Sequence, residues 1–118
     1  MEKVIKINNR DVTFKSTGAT LLRYKSQFKK DFLKEIVKIS EIDDMEDGVA
    51  VFEKIDMQTV YEFIWVLAKT ADNNVPPLLE WLDTFDEFPV LEIFMELQDL
   101  ILSSVQSTSN KPSVSKRK

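Results

Sequence analysis

The opening of the chain alternates and the rest of it repeats at helical spacing, and that switch restricts the fold more than any other feature. Ile5 and Ile7 flank Lys6, and Val12 and Phe14 flank Thr13. Successive side chains of a strand point to opposite faces, so these four apolar residues share one face of a strand pair. Asn8-Asn9-Arg10-Asp11 connects the strands, and Asn and Asp tolerate the left-handed backbone of a tight turn. A lone two-stranded hairpin is marginal in water, so its apolar face has to lie on helices. With 118 residues, 43% of them hydrophobic, there is material for one core and one domain. The expected fold is α+β and mainly α, an N-terminal hairpin packed on about five helices, within a single domain over residues 1–105.

Ser16-Thr17-Gly18 supplies hydroxyls for a helix start, and Leu21, Tyr24 and Phe28 recur at helical spacing, which predicts a helix over about 19–29. Asp31 can cap a second helix with Phe32, Ile36 and Ile39 on one stripe, Leu33 and Val37 beside it, and a basic face at Lys30, Lys34 and Lys38. Glu41 to Gly48 clusters carboxylates and reads as a loop. A helix from near Asp56 to Lys69 carries Val60, Tyr61, Ile64, Trp65, Leu67 and Ala68 on a wide apolar face and is expected to be the central one. Pro76-Pro77 enforces a turn over 71–77, since proline lacks the amide donor and moves its predecessor out of the helical region. Pro77 then opens a short helix with Leu78, Trp81, Leu82 and Phe85. Pro89 opens a last helix to about Ser104, with one stripe at Val90, Ile93, Phe94, Leu97 and Ile101. A second stripe at Leu91, Met95 and Leu102 needs some other cover. Residues 106–118 are polar, Ser-rich and basic, the composition of a disordered tail.

Charge is segregated along the chain. Residues 1–40 carry +6, residues 41–102 carry -14 and residues 103–118 carry +4, against a total of -4. The oppositely charged parts attract each other within one fold or, as a homo-oligomer, between the basic part of one copy and the acidic part of the next.

His and Cys are both absent, which removes the commonest general base, the usual thiol nucleophile and the ligands of zinc sites, and leaves no disulfide framework. No metal and no cofactor is expected. Asp43 to Gly48 imitates the start of a calcium loop, but Met45 stands at the third position and Lys54 at the twelfth, where a bidentate Glu belongs. Asp83/Glu87 and Glu92/Glu96 read as solvated helix faces, with no companion nucleophile. Two glycines cannot form a Gly-rich phosphate cradle. The acidic middle opposes a nucleic-acid backbone at the lysine stripe. The longest apolar run, Phe63 to Ala68, is far short of a membrane span, and the N-terminus lacks a secretory pattern. The expectation is therefore a binding protein and no enzyme. Trp65 and Trp81 sit on apolar stripes, as core residues or else as partner anchors.

Gly18-Ala19-Thr20-Leu21-Leu22-Arg23-Tyr24-Lys25 after a hairpin, Trp65-Val66-Leu67-Ala68-Lys69-Thr70-Ala71-Asp72, and Pro76-Pro77 leading into Glu80-Trp81-Leu82-Asp83 and Phe85-Asp86-Glu87-Phe88 together resemble the tail assembly chaperones of long-tailed, siphovirus-type bacteriophages and prophages of Gram-positive bacteria. The likeness runs over roughly residues 3–105. It implies a helper that binds the tape measure protein, keeps it soluble and recruits tail tube protein, in some members through a longer frameshifted form. It also implies a place in the host cytoplasm and absence from the mature virion. The surfaces singled out for a protein partner are Trp81, Phe85, Phe88, Leu91, Met95 and Leu102, beside the basic face. A small head-tail adaptor or structural protein is the alternative, and a nucleic-acid-binding regulator a more distant one.

Overall fold

The structure, a computed structural model, describes residues 1–35 and 56–109, with 105–109 described by backbone alone. Strands β1 (Glu2–Ile7) and β2 (Arg10–Lys15) pair antiparallel, with Ile5 opposite Val12 and Ile7 opposite Arg10. The turn is tighter than the four-residue link expected. Asn8 and Asn9 have φ of 51° and 64°, and positive φ at both central residues is what a two-residue type I′ turn requires. Its twist matches that of the strands, so Arg10 and Asp11 are drawn into β2. At the open end the Met1 ammonium donates to the Ser16 carbonyl at 3.0 Å, and the Ser16 N–H donates to the Met1 carbonyl at 2.8 Å. Ile5, Ile7, Val12 and Phe14 are all buried, as the alternation demands.

Helix α1 (Thr20–Phe28) follows a local clasp in which Thr17 Oγ1 accepts the Ala19 N–H and Thr20 Oγ1 accepts the Thr17 N–H. It ends at Lys29, whose left-handed backbone lets its N–H donate to the Lys25 carbonyl at 2.8 Å. Asp31 does start a second helical turn, its Oδ1 accepting the Leu33 N–H at 3.0 Å, and residues 32–35 are helical. The rest of that expected helix, with Ile36, Val37, Lys38 and Ile39, lies outside the described residues. So do the acidic loop, the calcium-like spacing that ends at Lys54, and residues 110–118.

Helix α2 (Met57–Ala71) is the centre of the molecule, and its burial exceeds the expected face. Thr59, Val60 and every residue from Glu62 to Ala68 are buried, which is the pattern of a helix enclosed on all sides. The hairpin covers part of it through β2. Tyr24 and Phe32 pack against Phe63, the last pair stacked at 3.7 Å between centroids, and Phe28 meets Trp65 edge-on at 5.7 Å. The turn after α2 is pinned from the helix itself. Lys69 Nζ donates to the carbonyls of Asn73 and Val75, and Trp65 Nε1 donates to that of Pro76 at 2.8 Å.

Pro77 and Pro89 stand at the caps of α3 (Leu78–Leu82) and α4 (Val90–Glu96), one position outside each helix. The single last helix predicted from Pro89 to Ser104 is broken. At Leu97 (φ -93°, ψ 10°) one N–H is shared between the carbonyls of Ile93 and Phe94, and α5 (Gln98–Ser109) starts at the next residue. Ile93, Phe94, Leu97, Leu100 and Ile101 are all buried, at the spacing of a single helical stripe that carries on across the break. The backbone of α5 also stays helical through 106–109, beyond the expected boundary of the tail. The fold is thus α+β and mainly α. No helix among the described residues is long and apolar enough to cross a membrane.

Phe14 is fully buried where β2 meets α2, while Thr13 beside it faces outward and is half-exposed. Phe14→Ala is expected to cost about 3–5 kcal/mol in denaturant unfolding, and Thr13→Ala to stay within about 0.5 kcal/mol.

Candidate functional site

Between Val60 and Ala68 the sequence carries a single charge, Glu62, and it is buried with its side chain 4% exposed. A carboxylate out of water is costly unless it is paired and hydrogen-bonded. Here three donors converge on it. Tyr24 Oη donates to Oε1 at 2.8 Å, Lys30 Nζ lies 2.9 Å from the same oxygen, and Gln58 Nε2 donates to Oε2 at 2.9 Å. Lys30 also donates to Thr59 Oγ1 at 3.4 Å. Burial, followed by the hydrogen bond and the negative charge of Glu62, raises the Tyr24 hydroxyl well above the ordinary phenol range. A tyrosine held protonated against a carboxylate whose oxygens are already engaged fastens two helices together and has little capacity to move protons.

This clasp changes the expected basic face. Lys30 points to Glu62 and helps to neutralise it. Lys34 is exposed, and Lys38 lies outside the described residues. A cleft of about 460 Å³ opens here among Lys25, Lys29, Lys30 and Lys34, but Asp31 and Glu35 also line it. The charges are interleaved, so the cleft does not present a field of one sign. Two ion pairs, Lys30–Glu62 and Lys3–Asp99, join the basic N-terminal part of the sequence to its acidic part within one fold.

The six partner candidates fall into different environments. Trp81 and Phe85 are 3% and 8% exposed and meet edge-to-face at 5.3 Å, with Phe88 5.5 Å and 5.3 Å from them and tilted against Tyr61 at 5.9 Å. The Arg10 guanidinium lies 3.9 Å above the Phe85 ring and donates to Thr84 Oγ1, closing that cluster from the hairpin side. Little of either ring is open to a partner, and Trp81 meets the cleft beside Arg10 and Val75 only with the 3% of it that is exposed. Leu91 and Met95 are half-buried, Met95 packed against the core, and Leu102 alone of the stripe is exposed, at 55%.

A better-formed surface lies elsewhere. Between α1 and α2 runs a groove of about 410 Å³, with Trp65 and Val66 in its floor and Leu22 standing 67% exposed on its rim. Arg23, Gln27 and Lys69 edge it with polar groups. The signal for it was in the sequence. Leu21 and Leu22 are adjacent on one helix and successive positions diverge by about 100°, so on a helix covered along one face one of the pair is turned outward. Among the described residues no group of three or more acidic side chains is placed to hold a metal ion.

Comparison with known proteins finds no matching family model, no matching curated protein and no matching solved structure.

Removing the carboxylate in Glu62→Leu leaves the buried Tyr24 hydroxyl without its acceptor, an expected loss of about 1–3 kcal/mol that Tyr24→Phe added to it partly restores. The folded chain holds the Tyr24 proton more tightly than the unfolded chain. Its contribution is therefore fully present below about pH 10 and is lost as pH rises further. Unfolding measured across the alkaline range is expected to show a shallower decline in Tyr24→Phe than in the parent chain.

Proposed function

We propose that this chain is a tail assembly chaperone that binds a helical segment of the tape measure protein and keeps it soluble while tail tube protein is recruited. The resemblance in sequence supplies the identity of the partner. The observation that supports the mode of binding is the α1–α2 groove, an apolar floor of Trp65 and Val66 with an uncovered leucine on its rim and polar groups along its edges. An amphipathic helix binds by laying its apolar face in such a groove, anchored at spacings of three and four residues. The nine residues of α1 offer it about 13 Å of wall, room for two turns. Because Trp65 is fixed through its Nε1–H to the Pro76 carbonyl, the floor is already ordered before a partner arrives.

Coexpression with the tape measure protein, one of the two tagged, tests this reading. The tape measure protein is expected in the soluble fraction and in the pull-down with the parent chain, and in neither with Leu22→Glu. Leu22 is exposed, so that variant is expected to keep the parent melting temperature to within about 2 °C. A tape measure protein equally insoluble with and without this chain defeats the proposal.

A further inference from the structure

Among the described residues the hairpin leaves an edge open. Met1 and Ser16 exchange both backbone hydrogen bonds, and Ile7 and Arg10 close a two-residue turn, so the bonded pairs of the ladder fall at residues 1, 3, 5 and 7 of the first strand. The N–H and carbonyl groups of Glu2, Val4 and Lys6 therefore point away from β2. No hydrogen bond to them is formed among the described residues. Their side chains all lie on the outer face and are exposed, Val4 at 58%. The far edge of β2 is different, because Asp11 and Thr13 there look across a cleft onto Ala71, Asp72 and Val75.

We infer that β1 pairs antiparallel with β1 of a second copy of this chain, about a two-fold axis at Val4, to make a continuous four-stranded sheet. With the outward-pointing groups in register, Val4 stands opposite Val4 of the second copy, and Glu2 opposite its Lys6. Each of these pairs exchanges both backbone bonds. Registers shifted by one pair place Val4 against a charge, Glu2 in one direction and Lys6 in the other, and leave the remaining charge without its opposite. Within each hairpin Lys15 already lies 3.9 Å from Glu2, and Lys6 lies 3.7 Å from Asp11. The join extends those contacts into a row across the four strands, Lys15 and Glu2 of one copy followed by Lys6 and Asp11 of the other, with the sign alternating at every step. Thr13, Val4, Val4 and Thr13 form the row between. A single edge lysine discourages strand addition, since it meets itself or an apolar neighbour. Glu2 at the symmetry-related place turns that deterrent into a selection for this one partner in this one register.

Sedimentation of the parent chain and of three variants decides the matter. The parent chain is expected to reach a dimer at concentrations up to about 1 mM. Val4→Pro deletes an N–H that points outward and so costs the hairpin no internal bond, yet it is expected to weaken the dimer by roughly tenfold or more. Glu2→Lys and Lys6→Glu each set like charges opposite one another in their own dimers, and each is expected to weaken association by roughly tenfold. Mixed together they restore opposite charges at both positions, and a heterodimer should form with about the parent affinity. Any cost to the hairpins of the single variants is present in the mixture as well, so recovery there reports pairing between chains. A parent chain that stays monomeric throughout overturns the inference. So does a dimer that is indifferent to Val4→Pro and gives no preference for the heterodimer.

Discussion

A helix with almost no solvent face organises this molecule. From Thr59 to Ala68 only Tyr61 of α2 is more than slightly exposed; β2, α1 and α4 each cover part of that circumference, and α5 packs in turn on α1 and α4. The hairpin brings Phe14, α1 and the turn after it bring Tyr24, Phe28 and Phe32, and the segment after the double proline brings Phe88 against Tyr61. Burial on this scale is the main favourable term available to a chain with no disulfides, and the aromatic pairs add directionality to it.

An all-round buried helix has no place for a charge, which is why the surroundings of Glu62 are so fully determined. Its oxygens draw on Tyr24 from α1, on Lys30 from just beyond it and on Gln58 one turn earlier in α2. The effect is to fix the C-terminal end of α1 against α2 by polar contacts of defined geometry, where apolar contacts alone allow sliding. Along another side of the same helix pair the groove with Leu22 on its rim opens. One side of α1 is thus fastened and the other left available, and both conditions follow from which residues of α2 it meets.

The hairpin shows how a local choice propagates. Two asparagines accept positive φ, the turn shortens to two residues, and the register that results fixes which backbone groups face inward. The same register puts the apolar side chains on α2, sets Arg10 over Phe85, and aims Lys3 at the Glu96 carbonyl and Asp99 at the far end of the sheet. A one-residue slip reverses all of these together, so the turn and the core specify each other.

Much of this architecture was legible in the order of the residues. Period-two alternation gave the hairpin and its buried face, prolines at 76, 77 and 89 marked the helix starts to within a position, and the run after Asp56 identified the central helix. Each rests on steric rules that act over a few residues. The partner surface was legible only in part: Leu21 and Leu22 side by side announce that one of them is left outside, but nothing in their neighbourhood says that Trp65 lies beneath. The stripe at Leu91, Met95 and Leu102 assumed one uninterrupted helix, and nothing local to it showed that Leu91 and Met95 are half-buried while Leu102 is exposed. Trp81 and Phe85 gave no local sign of the guanidinium that would cover them. The pairing of Tyr24 with Glu62 joins positions 38 apart, and that of Lys3 with Asp99 joins positions 96 apart. What the sequence by itself determined was which residues seek an apolar neighbour and where the backbone turns. Which neighbour each one meets was decided by the tertiary structure, because hydrophobic attraction has no direction of its own and acquires one only when close packing and the pairing of buried polar groups choose among the possible contacts.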